Sequence, residues 1–132
     1  MTMAETEADV LRDLRELGDD MSRYAYLIGC AQEERGYPEE LRTEQYRVKD
    51  CQGMTWAAAH WEGDVFSFRG DSDSLIVKGG LAILEELYDG RTRQEVHDYQ
   101  CSLLRDETFT RYFTPEQVQG LTAILAVIEA VS

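Results

Sequence analysis

The spacing of hydrophobic positions changes along this chain, and the changes mark its elements. Between Glu5 and Leu17, the residues Val10, Leu11, Leu14 and Leu17 fall on one helical stripe, which Gly18 stops. Asp19 or Asp20 is placed to cap a second helix, where Tyr24, Leu27, Ile28 and Ala31 recur at i, i+3, i+4 and i+7. Gly36-Tyr37-Pro38 ends that helix, because a proline pushes the residue before it out of the α region. The stretch from Pro38 to Gln45 is polar and has room for one helical turn. The period then drops to two. Arg47 to Lys49, Met54 to Trp61 and Val65 to Gly70 read as strands, with Glu62-Gly63-Asp64 as a hairpin turn. Phe66 and Phe68 share one face of the last of these. The two faces of Met54 to Trp61 cannot be ranked, because apolar residues occupy both.

Helical spacing returns after Asp71-Ser72-Asp73, whose side chains are suited to capping free N–H groups. Ile76, Val77, Leu81, Leu84, Leu87 and Tyr88 form the apolar positions of this helix, and Gly90 stops it. Gly79-Gly80 in its interior should cost about 1 kcal/mol per glycine relative to alanine. The pair therefore predicts close approach of another backbone or of a partner. Thr92-Arg93-Gln94-Glu95 is a capping box for a short helix reaching about Tyr99. Leu103, Leu104, Phe109, Tyr112 and Phe113 cover the core from short segments. A last helix begins at Thr114, with Pro115 in its first position, Gln117 at the box position, and Leu121, Ile124, Leu125 and Ile128 as its buried stripe. The expectation is an α+β fold: a small three-stranded antiparallel sheet packed with helices from both ends of the chain.

Composition narrows the class. The chain has 132 residues, 43% of them hydrophobic, which fits one domain (1–132) with one core. No apolar run approaches the length of a bilayer span. The first nine residues are acidic rather than basic and apolar, so they do not read as a signal peptide. Cys30, Cys51 and Cys101 are an odd number, widely spaced, with no CxxC; free thiols in a cytoplasmic setting fit better than a disulfide framework or a zinc ribbon. There are 26 acidic against 13 basic residues, a net charge of −13. That balance argues against nucleic-acid binding and is suited either to solubility or to steering toward a basic partner.

The candidate chemistry lies at Cys51. It stands between a short basic, β-branched run (Tyr46 to Lys49) and a longer apolar run, flanked by the turn residues Asp50 and Gly53. The pattern predicts a thiol on a loop between two strands, near the apolar Met54 and Trp56. Asp50 should raise the pKa of that thiol, and Lys49 and Arg47 are the nearby cations that could offset it. Cys30 lies in a helical pattern and reads as a packing residue, and Cys101 follows a short helix. His60, at the end of a strand, reads as exposed or hydrogen-bonded rather than as a metal ligand. Three uses of such a chain stay open on the residues alone: thiol chemistry at Cys51, a metal-binding or iron–sulfur scaffold using scattered Cys and His, and an acidic interaction module in which Cys51 only packs.

Several stretches together resemble the SufE family. They are Val48-Lys49-Asp50-Cys51-Gln52, Trp56, Gly70-Asp71-Ser72-Asp73-Ser74, Val77-Lys78-Gly79, Leu87-Tyr88-Asp89-Gly90, and Thr114-Pro115 with Gly120-Leu121. The likeness runs from about Asp19 to the C-terminus, with residues 1–18 as an N-terminal helix before it. Asp50 and Gly53 stand where the family usually has Gly and Ser, Gln117 where an Arg is common, and Arg93 where a Pro is found. The resemblance implies a fold similar to that of the IscU scaffold and a sulfur-relay protein rather than a stand-alone enzyme. Cys51 would accept a persulfide sulfur from a cysteine desulfurase (SufS-like), stimulate it, and pass the sulfur to an iron–sulfur scaffold (SufB-like). Gln52 and Asp73 map onto supporting positions, with Asp50, Gly53 and Lys49 beside them. No cofactor of its own is implied; pyridoxal phosphate would belong to the desulfurase. Neither nucleic acid nor membrane is an implied partner.

Overall fold

A computed structural model describes residues 1–33, 35–49 and 54–131. Two helices open the chain, α1 (Met3–Glu16) and α2 (Asp20–Glu33). Thr2 caps α1 in a full capping box with Glu5, so the helix starts two residues earlier than its apolar stripe suggests. Asp19 accepts the backbone N–H of Ser22 at 2.8 Å at the start of α2. The connection that follows contains two single 3₁₀ turns, Glu39–Leu41 and Glu44–Tyr46. Strands β1 (Thr55–Glu62) and β2 (Val65–Ser72) then form an antiparallel hairpin in register from Thr55↔Ser72 to Glu62↔Val65. Gly63 turns it with φ of +65°, a left-handed value natural to glycine.

The expected third strand is not formed among the described residues. The sheet has two strands, and Arg47 makes one isolated bridge to Trp56. The reason is local. The N–H of Arg47 points back to the carbonyl of Glu44 (3.3 Å), closing the 3₁₀ turn instead of a ladder. Among the described residues of this stretch, it is the Val48 N–H that reaches β1, bonding the Thr55 carbonyl at 2.8 Å.

Next comes α3 (Leu75–Tyr88), followed by α4 (Arg93–Asp98), a 3₁₀ turn at Leu103–Arg105, α5 (Glu107–Thr110) and α6 (Pro115–Val131). The cap of α3 is Ser74, not the Asp71–Asp73 run. β2 continues through Ser72, and the Asp73 N–H bonds the Met54 carbonyl (3.0 Å), so the chain is held extended until Ser74. The register settles the faces of β1. Ala57, Ala59 and Trp61 lie opposite Gly70, Phe68 and Phe66, and this face packs into the core with Leu81, Leu84, Leu121 and Ile124. Gly79 is buried where α2 crosses α3: a Cβ there would sit 2.2 Å from the Leu27 carbonyl oxygen. The close backbone approach expected of the glycine pair is that crossing at Gly79, while Gly80 faces the side chains of Leu121 and Phe113.

Candidate functional site

Both ends of the cysteine-bearing segment are held by backbone hydrogen bonds. On one side Val48 bonds Thr55; on the other the Met54 carbonyl accepts from Asp73. Beneath that junction the Thr55 and Ser72 hydroxyls pair at 3.0 Å in a buried contact. Ser72 Oγ also accepts the Ser74 N–H at 3.2 Å, and Ser74 Oγ accepts the Val77 N–H at 3.4 Å. A relay of small hydroxyls thus joins the end of the sheet to the start of α3. Of the residues expected to form the site, Lys49 and Asp73 are exposed and flank this junction. Asp50, Cys51, Gln52 and Gly53 lie outside the described residues.

The apolar surface expected from Met54 and Trp56 is divided. Met54 is exposed, whereas the Trp56 ring carries the Arg42 guanidinium 4.9 Å from its centroid. The same guanidinium lies 5.2 Å from the Tyr37 ring. Its Nη2 donates to Asp71 at 2.6 Å, and Asp71 is the register partner of Trp56. Lys78 approaches the other Asp71 oxygen at 3.4 Å. Arg42 therefore fastens the connection after α2 onto the sheet face opposite the core, at the strand ends that lead to the cysteine segment. The sequence reading missed it, because Arg42 sits in a polar stretch without periodicity. Its one signal was a Trp aligned with an Asp across the hairpin, which a sequence does not display until the register is known.

The other two thiols are poor nucleophiles. Burial pushes Cys30 up to about 11, with Glu86 and Glu33 adding to the shift. Cys101 is 6% exposed, and burial likewise raises it. His60 is half-buried and pairs with Glu62 at 3.1 Å. Among the described residues, no group of three or more His, Cys, Asp or Glu is arranged to hold a metal ion. No helix of the described chain is long and apolar enough to cross a membrane. Beside the junction runs a groove of about 450 Å³, bounded by residues 45–49, the β1 backbone region around Ala57–His60, and α6.

A family model described as SufE, Fe-S metabolism associated domain, matches residues 8–131. The chain belongs to the SufE family. The SufE match begins inside α1, earlier than the resemblance read from Asp19 onward. Among solved structures, the chain is similar to the solution structure of a hypothetical protein from Thermus thermophilus. The TM-score is 0.77 at 22% identity, covering 95% of this chain and 91% of that one. That likeness concerns the fold. The SufE assignment ties the chain to iron–sulfur metabolism.

Proposed function

We propose that this protein is a sulfur-relay accessory protein that takes a persulfide sulfur onto Cys51 from a cysteine desulfurase and hands it to an iron–sulfur scaffold. The observation that carries the reading is the SufE match over residues 8–131. Two structural facts support it. The flanks of the Cys51 segment are pinned to β1 and to the start of α3. Cys30 and Cys101 have their thiolates disfavoured by burial, which leaves them weak acceptors.

The transfer balances without an added oxidant. A Cys51 thiolate attacks the outer sulfur of the partner's persulfide, a new S–S bond forms, the partner's S–S bond breaks, and the partner's cysteine leaves as a thiolate. Handing on repeats the step with Cys51 as the leaving group. The test is intact mass after incubation with a cysteine desulfurase and free cysteine. Wild type should gain one sulfur that reductant removes, and so should Cys30→Ser and Cys101→Ser; Cys51→Ser should gain none. A reducible sulfur on Cys51→Ser, or its loss only in Cys101→Ser, overturns the assignment.

A further inference from the structure

The groove beside the cysteine segment has a charge character unlike the rest of the chain. The protein carries 26 acidic residues, yet no Asp or Glu lines this groove among the described residues. Its charged or ionisable lining is Arg47, Lys49 and His60. Arg47 meets Glu44 at 3.7 Å, but that glutamate is 77% exposed, and such a pair exchanges readily with another anion. His60 has Glu62 as an exposed neighbour. Lys49 forms no ion pair with a described residue. The acid of the last turns of α6, Glu129, lines a different hollow with Cys101.

The opposite wall is apolar and open. Val127 and Val131 of α6 are 40% and 37% exposed, and Ala123 continues their row. A small-residue floor, an open valine wall and a rim of cations fit a chain that is both apolar and acidic.

We propose that this groove docks an acidic, apolar segment of the sulfur-donating partner; the inference rests on the relay reading above. The occupant is a protein segment rather than a second copy of this chain's acidic surface, because it needs apolar side chains against Val127 and Val131 as well as carboxylates toward Arg47 and Lys49. Lys49 directly follows Val48, whose N–H anchors the cysteine segment to β1, so docking here sets the partner's approach to Cys51.

The experiment measures binding of a cysteine desulfurase and sulfur gain on the same variants. Val127→Glu and Lys49→Glu should each weaken binding about tenfold. Lys49→Gln should fall between wild type and Lys49→Glu. Leu75→Glu, at a still more exposed apolar residue on the α3 side of the junction, should bind like wild type. Melting temperatures of all four should match wild type within the spread of surface substitutions. Cys51→Ser should bind normally while gaining no sulfur. If wild type accepts sulfur but the groove variants bind unchanged, or if Leu75→Glu alone loses binding, the docking inference is overturned and the relay stands. If binding depends on the groove but no sulfur reaches Cys51, the relay fails and the docking site stands. Absence of binding by wild type overturns the inference.

Discussion

At the scale of single residues, Arg42 and Cys30 make checkable claims. Arg42 holds two aromatic faces and a carboxylate with one planar fork, a combination that lysine cannot reproduce. Arg42→Lys keeps the charge but loses the stacking, and should lower stability by about 1 kcal/mol. Arg42→Ala also leaves Asp71, which is 13% exposed, with Lys78 alone, and should cost about 2–3 kcal/mol. Urea midpoints with unchanged m-values check both; a Lys variant as stable as wild type would show that the stacking contributes nothing. For Cys30, the folded thiol titrates at about 11 against an ordinary 9.0. Below pH 9 both folded and unfolded chains keep the proton, and the contribution to stability is complete. As pH rises from 9 toward 11 the unfolded thiol ionises first, so stability is lost with rising pH. Stability–pH curves of wild type and Cys30→Ser should therefore diverge above pH 9, with wild type falling faster. Parallel curves would contradict the shift.

At the scale of elements, the capping boxes that open α4 and α6 were legible in the sequence, whereas the cap of α3 and the absence of a third strand among the described residues were not. Thr114 and Gln117 were readable as a capping box, and both bonds are present: Gln117 Oε1 accepts the Thr114 N–H at 2.9 Å, and Thr114 Oγ1 accepts the Gln117 N–H at 3.1 Å. Capping is a contact between residues three apart, so it is visible in a string of letters. The Arg47–Lys49 strand depended on whether the Arg47 N–H bonded a neighbouring strand or its own preceding turn, and composition does not decide that. Gln117→Ala should lower stability by about 0.5–1 kcal/mol with sulfur transfer unchanged. A lost transfer at constant melting temperature would make Gln117 a site residue instead. The two glycine environments give a sharper contrast. Gly79→Ala forces a methyl against the Leu27 backbone and should cost about 3 kcal/mol or more. Gly29→Ala meets nothing within 4 Å in the interior of α2, and should be neutral or stabilise by up to about 1 kcal/mol. Equal effects from the two would remove the α2–α3 crossing as the reason for Gly79.

At the scale of the whole molecule, two electrostatic effects act in opposite directions. Capping carboxylates such as Glu5, Asp19 and Glu95 have pKa values lowered chiefly by backbone N–H groups at helix starts, so they favour the fold only while ionised. Their support is present above the ordinary carboxylate range and is lost as pH falls through it. The excess of acids works the other way, because a net charge of −13 repels itself more strongly in the compact state. The candidate site shows the same division between local and global charge: the acidity was plain from composition, but a groove with no Asp or Glu among its described lining residues emerged only when 45–49, β1 and α6 came together. Salt separates the two effects at fixed pH. Near neutrality Glu5, Asp19 and Glu95 are ionised and bonded to nearby N–H groups, short contacts that added salt screens weakly, whereas repulsion among acids spread over the surface acts across distances comparable to a Debye length of about 10 Å at 0.1 M. Raising monovalent salt from low to physiological levels at pH 7 should therefore raise the melting temperature. The rise should shrink near pH 4.4, where the net charge approaches zero. A melting temperature that falls with salt at pH 7 would mean that ion pairs such as Arg35–Glu85 and Arg42–Asp71 outweigh the repulsion, and that the acidity of this chain is not a strain on its fold.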